Sequence, residues 1–499
     1  MKTLKKELNK ILIAFFLFLM ISTFLSGCLS NIFNCPEDSL KTTSCPSQKT
    51  KDKNNMLTIL ALALASNSDS SNGGNLEWTR LYGQKDYFYY GLDTVADSDD
   101  NVYTTGYYFP DGMTNFSTFI IKYDSSGNKI WERSLEVSNR DINAYAIAID
   151  SKKNVYIAGD TDSIPDAYCN ASYNCLFIVK FDSDGNKQWT ESLYISYAKT
   201  YGRALAIDKD DNIYVAGDTN RSVDGQSNPN YNTSSLLVKY DSSGNKQWAK
   251  IIVPENNSAV ATSVTTDDDG DTYITGYTSG NLDGNTMIGS VDTFFAKYNG
   301  NGEKQWTKTI GVSSTDTFGY DISIDSSKNL YILGSNDGSS MLGEKCLYKT
   351  TDFPNGIQYS KCSFVVKYDN NLNQQWSKLI ARGSEQEIDA IALDNFGNIY
   401  LAGAAKSYFE GEEVPYSNKQ GGVFMKLNSS GKKQWIRFIG SDNATTVGRG
   451  LYVSKNNTLY TTGITGYDWS NIYQNNYPTI EINGQNLNGI RDAFILKYK

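Results

Sequence analysis

AYAIAID at 144–150, VYIAGD at 155–160, LFIVKFD at 176–182 and KQWTESL at 187–193 are four strand-length segments in one short stretch of chain. The first alternates and is rich in small residues, which suits a crowded innermost strand. The next two are apolar and β-branched, and the last carries a tryptophan among polar residues. Ser-Lys-Lys-Asn separates the first pair and Ser-Asp-Gly-Asn the last pair, both of them turn compositions. Four short antiparallel strands in one unit fit a propeller blade.

The unit recurs. Tryptophan falls at 78, 131, 189, 248, 306, 376 and 435. In step with it run VYTTG at 102, VYIAG at 155, IYVAG at 213, TYITG at 272, LYILG at 330, IYLAG at 399 and LYTTG at 459. A third series is FIIKY at 119, FIVKF at 177, LLVKY at 236, FFAKY at 294, FVVKY at 364, VFMKL at 423 and FILKY at 494. Spacings of this size belong to solenoids or propellers. The ends decide between an open array and a ring. The repeats begin with a lone outer strand, LEWTRLYG at 76–83, and end with a lone third strand, AFILKYK at 493–499. Paired together they complete a seventh blade and remove the free edges that invite aggregation. The expectation is an all-β, seven-bladed β-propeller over 76–499.

The repeats resemble the SBBP β-propeller repeat family. Blade four carries the likeness best, in TGYTSGNLDGNTMIGSVDTFFAKYNGNGEKQWTKTIG at 275–311. Blades five and seven depart from it by longer insertions, and blade six by VFMKL. The resemblance implies the fold and an exported location, and supplies no catalytic residues.

The N-terminus reads as an address. Lys2, Lys5, Lys6 and Lys10 precede an apolar run from Ile11 to Phe24, which is short for a membrane span at about 20 residues. Leu25-Ser26-Gly27-Cys28 then resembles the lipobox of bacterial lipoproteins. That resemblance implies removal of 1–27 as a signal peptide and acylation of Cys28, by palmitate or similar chains, with several chains anchoring far more firmly than one. A plain signal anchor with an incidental cysteine is the alternative. Leu29 after the acylated cysteine points, by resemblance to lipoprotein sorting, to the outer membrane, with the cell surface as one of its two sides. Residues 28–75 read as a tether ending in the linker SNSDSSNGGN, and the apolar MLTILALALA at 56–65 within it has no assigned role.

Composition narrows the function. The 499 residues carry a net charge of −9, which argues against nucleic-acid binding. The absence of histidine excludes Ser-His-Asp and Cys-His nucleophile systems and HExxH zinc sites. With Cys28 lipidated, six cysteines remain as three local pairs: Cys35/Cys45, Cys169/Cys175 and Cys346/Cys362. Fifteen pairings are open to six cysteines, and closeness in sequence favours this one in an oxidising compartment.

Candidate chemistry is sparse. One tryptophan per blade reads as inter-blade packing. Asp97-x-Asp99-x-Asn101, Asp208-x-Asp210-x-Asn212 and Asp267-x-Asp269-x-Asp271 place oxygen ligands on alternate residues, as calcium loops do. They lack the glycine and glutamate of an EF-hand and read as hairpin turns bonded to their own backbone; no metal or other cofactor is expected. Glu410, Glu412 and Glu413 are carboxylates of the kind a glycosidase uses, which leaves that chemistry as a remote alternative. The connections between second and third strands, and between blades, are long and varied, and antiparallel geometry puts both on one face. Variable loops on a rigid scaffold are where binding resides. Tyr107, Tyr108, Tyr168, Tyr173, Tyr467, Tyr473 and Tyr477 fall in these connections and are the candidate contact residues. The reading is a lipid-anchored, monomeric, non-enzymatic scaffold that binds protein or glycan partners through its long-loop face. A periplasm-facing assembly scaffold is the alternative.

Overall fold

The computed structural model describes residues 74–112, 115–170, 172–338, 340–341, 343–349, 357–359, 361–382, 386–416, 419–467 and 481–499. The expectations for the signal peptide, the tether with Cys28, Cys35 and Cys45, and for Tyr473 and Tyr477, lie outside these residues.

Blade two shows the plan. Strands Ile142–Ile149, Val155–Thr161, Cys175–Phe181 and Lys187–Leu193 pair antiparallel in sequence order. Blades one and three to six repeat it, starting at Tyr87, Thr200, Ala259, Thr317 and Gln386. The seventh blade is Thr445–Val453, Leu459–Gly466 and Arg491–Tyr498, with Leu76–Tyr82 from the other end of the chain as its outer strand. Trp78 lies opposite Lys497 and Tyr82 opposite Ala493, so the two ends close the ring as expected.

The core lies between blades. One apolar cluster interleaves Tyr156, Leu176 and Ile178 of blade two with Ile213, Val215 and Val238 of blade three. Each blade buries both of its faces this way, which explains why its second and third strands read as continuous apolar runs.

The three sequence markers prove to be one lateral row. The second-strand tyrosine faces the third-strand lysine, which faces the fourth-strand tryptophan: Tyr103, Lys122 and Trp131 in blade one, and Tyr156, Lys180 and Trp189 in blade two. The tyrosine meets the tryptophan edge-on, with ring centroids 5.9 Å apart in blade one and 5.8 Å in blade two. The lysine ammonium sits over the tyrosine face, at 4.9 Å from the Tyr103 centroid, in a cation–π contact.

This row clasps the next blade. Lys122 Nζ and Trp131 Nε1 both donate to the carbonyl of Ser183, in the third-to-fourth-strand turn of blade two, at 2.9 and 3.0 Å. Lys239 and Trp248 share Gly300 O in the same way. At the closure Lys497 and Trp78 share Ser125 O, at 2.8 and 3.1 Å. The turn glycine lies on the indole: a Cβ on Gly185, at φ 80°, would stand 2.9 Å from Trp131. The tryptophans are therefore inter-blade packing residues.

Two outcomes are expected. Trp131→Ala, which empties one clasp, costs about 3–5 kcal/mol in denaturant unfolding. Deleting 493–499 removes the closing strand and lowers the melting temperature far more than Trp131→Ala; an unchanged transition would contradict the closure.

Candidate functional site

The acidic turns are structural. Asp97 Oδ1 accepts the backbone N–H of Asp99 and Asn101 at 2.9 and 3.0 Å. Its Oδ2 accepts Asn101 Nδ2 at 2.8 Å and the Tyr103 hydroxyl at 3.1 Å. Asp150, Asp208, Asp267, Asp325 and Asp394 likewise hold their own turn and the hydroxyl of Tyr156, Tyr214, Tyr273, Tyr331 and Tyr400. The self-bonded turn is the geometry found, with the carboxylate oxygens engaged by the turn itself. Among the described residues, no group of three or more metal-ligating side chains converges.

Much of the long-loop sequence folds back onto the rim. Val223–Gln226 and Leu282–Asn285 close as tight hairpins, with Asp224-Gly225 and Asp283-Gly284 both at positive φ, the signature of a two-residue turn. Gln226 then caps the free edge of its own outer strand. Its Nε2 donates to Ala249 O at 2.9 Å, and Ile251 N donates to its Oε1 at 3.2 Å. Gln485 does the same for the closing strand through Thr79 O and Leu81 N, at 2.7 and 3.0 Å. A side-chain amide thus supplies the donor and acceptor a further strand would, which guards an exposed edge. Glu410, Glu412 and Glu413 belong to the equivalent hairpin of blade six, where Glu412 pairs with Lys433 at 2.9 Å. Asp224-Gly225, Asp283-Gly284 and, before Gln485, Asn483-Gly484 are the sequence signal for these hairpins, hard to see because the paired segments are only one or two residues long.

The tyrosines divide. Tyr108 is buried, stacked on Tyr89 at 4.9 Å and donating to Glu136. Tyr467 is buried in the seam between blades six, seven and one. Tyr107 is half-buried and stacked on Tyr90 at 4.9 Å. The rings of Tyr108 and Tyr467 are therefore packing residues rather than surface contacts, because they fill the crowded junction where the chain ends meet. Tyr168 is 67% exposed and meets Tyr194 edge-on at 5.0 Å. Tyr173 meets Tyr197, which is 64% exposed, at 5.8 Å. The Cys169–Cys175 disulfide fixes the loop bearing Tyr168 and Tyr173, and Cys346–Cys362 ties the blade-five insertion.

Tyr197 stands out among the blade connections. Four of these turns bond residue i+3 back to residue i and place i+2 in the left-handed region. Asp86, Asn139 and Ser314 occupy that position in three of them; Tyr197, at φ 60°, occupies it in the fourth. Short polar residues tolerate that conformation, and a bulky ring is strained by it.

The propeller axis holds a cavity of about 560 Å³ lined by all seven innermost strands. Carboxylates staple those strands together. Asp93 of blade one accepts Ile147 N of blade two at 3.0 Å. Asp321 of blade five accepts Ser263 Oγ of blade four at 2.6 Å and Ile391 N of blade six at 2.8 Å. Burial pushes Asp93 up to about 7 and raises Asp321 as well. Asp389 is pushed up to about 6 by burial, against the opposing pull of Arg449.

Comparison with known repeat families agrees with this architecture. The β-propeller repeat family SBBP matches residues 130–164, 188–222, 247–283 and 305–339. Each match starts one residue before a tryptophan and ends beyond the second strand of the following blade, so it joins one outer strand to the first two strands of the next blade. An uncharacterized WD repeat-containing protein of Acanthamoeba polyphaga mimivirus is 22% identical over 417 residues, covering 63% of this chain. The chain spans 30% of that relative's length. Among solved structures, a virginiamycin B lyase from Staphylococcus aureus aligns at 9% identity and TM-score 0.40, over 84% of this chain and 98% of its own. An ulvan lyase aligns at 10% identity and TM-score 0.44, over 77% and 93%. Four stretches of the chain thus carry the β-propeller repeat.

The axial carboxylates set a pH dependence. Asp93 binds its proton more tightly folded than unfolded, so the native state holds more protons between about 4 and 7. Stability from this group is highest below that window and falls as pH rises through it. The Asp124 turn works the other way, its carboxylate held low by the backbone N–H and then the side chain of Asn128, and it acts below the window. The melting temperature is expected to fall between pH 5 and pH 8, and Asp93→Asn to flatten that slope, as read by scanning calorimetry at several pH values.

Proposed function

We propose that the chain is a lipid-anchored propeller of the bacterial outer membrane that acts as a non-enzymatic, monomeric binding scaffold for protein or glycan partners through its long-loop face. The observation that carries this reading is Tyr197. An exposed aromatic ring is held in a strained turn where equivalent turns use Asp86, Asn139 and Ser314. Strain of this kind costs about 1–3 kcal/mol and persists where it serves a purpose. With Tyr168, Tyr173 and Tyr194 it makes a platform of two edge-on ring pairs, each joining the disulfide-braced loop to the connection between blades two and three, and rigid aromatic surface gives contact area at low entropic cost. The acidic balance of the chain favours neutral or basic partners.

Two measurements test it. Tyr197→Asn should raise stability, by up to about 1 kcal/mol, while weakening crosslinking to partners on intact cells. A variant that loses stability and keeps its crosslinks would remove the platform. Protease shaving of intact host cells, with a periplasmic protein as control, should cleave the propeller while sparing the control. Protection until permeabilisation would favour an inward-facing scaffold.

A further inference from the structure

Every innermost strand carries a β-bulge at the same place. The register against the second strand slips between Gly91 and Asp93, Ala144 and Ala146, Gly202 and Ala204, Ala261 and Ser263, Gly319 and Asp321, Ile388 and Ala390, and Gly448 and Gly450. A bulge re-aims the side chain of its extra residue. The seven extra residues all line the axial cavity, and they lie near the middle of each strand.

Symmetry of the backbone makes the asymmetry of the side chains informative. Around the ring stand Leu92, Tyr145, Arg203, Thr262, Tyr320, Asp389 and Arg449. The small residues that would merely fill a crowded axis are missing from six of the seven positions. The charges come as neutral pairs. Arg203 Nε bonds Asp218 at 2.6 Å, and Arg449 bonds Asp389 at 2.9 Å. Behind Tyr320, Lys361 bonds Glu387 at 2.6 Å, with its ammonium over the Tyr320 ring at 5.3 Å. The Tyr320 hydroxyl shares a hydrogen bond with Ser335 Oγ at 2.7 Å. Both arginine side chains keep 39% of their surface accessible, so guanidinium donors remain for a ligand.

We propose that this collar is a binding site for the end of a neutral glycan. A guanidinium locked to a carboxylate presents adjacent donors and acceptors with no net charge, which matches vicinal hydroxyls. Tyrosine faces suit the C–H faces of a sugar ring. A polyanion meets Asp389, Asp93 and Asp321 at the axis, a polycation meets Arg203 and Arg449, and an apolar ligand would strip water from both pairs without replacing its hydrogen bonds. The volume of about 560 Å³ lies within the range of small-ligand pockets. The collar is separate from the Tyr197 platform and stands whether or not that platform takes a partner.

The test uses the full chain with maltotriose, cellotriose and N-acetylchitotriose as probes, read by saturation-transfer NMR and calorimetry. At least one is expected to bind, with affinity falling about tenfold or more in Arg449→Gln and in Tyr320→Phe. Tyr320→Phe keeps the ring and loses only the hydroxyl, so it remains informative if Arg449→Gln is poorly folded. Phe396→Ser, in an exposed turn between the first and second strands of blade six, should leave trisaccharide binding unchanged. Failure of all three probes at millimolar concentration, binding undiminished in both collar variants, or preference for a sulfated trisaccharide over its neutral counterpart would overturn the proposal.

Discussion

A carbonyl oxygen, presented by the third-to-fourth-strand turn of one blade and shared by a lysine ammonium and an indole N–H of the blade before it, ties three of the seven seams. Ser183, Gly300 and Ser125 each play this part. One of the two donors ties two more seams, Lys180 to Ser242 O and Trp376 to Ser429 O. The contact is polar, yet it lies at the edge of an apolar seam, and its desolvated lysine is stabilised by the tyrosine face beneath. Lys122 shows the cost of that placement: burial, the largest influence, lowers its pKa. Propeller blades meet face to face through side chains with little backbone pairing between them. A directional bond to a fixed turn therefore sets the angle that apolar packing alone would leave loose. The closing blade uses the same bond between residues from opposite ends of the chain, so closure needs no new chemistry.

Each sequence motif serves two neighbours. The second-strand tyrosine supports its lysine and, through its hydroxyl, the aspartate turn before it. The turn glycine both makes its own hairpin and admits the preceding tryptophan. This double use is the physical reason the markers repeat so faithfully while the loops between them vary. It is also why the acidic turns look like metal loops and behave as scaffolding: hydrogen-bond donors a few residues away already claim the oxygens that a cation would need.

The loop face is correspondingly less free than its length suggests. Gln226 and Gln485 spend part of their loops guarding strand edges, and Tyr108 and Tyr467 are drawn into packing around the closure. Among the described residues, two features are specific: the tyrosine pairs beside blades two and three, and the collar of paired charges around the axis.

The sequence by itself determined the blade count, the strand order, the closure and the two propeller disulfides, because these depend on local periodicity and on spacing along the chain. The glycines of the inner strands, Gly91, Gly202, Gly319 and Gly448, were a visible hint of bulges, yet nothing local says that seven bulges converge on one axis. Only the tertiary structure decided that Tyr, Lys and Trp form one row, that Asp-Gly hairpins turn back to cap edges, and that Tyr168 faces solvent while Tyr108 does not. The reason is distance. Lys497 and Ser125 are 372 residues apart in the chain and neighbours only after the ring has closed, Arg449 and Asp389 meet only where two blades pack, and no pattern of near neighbours encodes which side chains meet there.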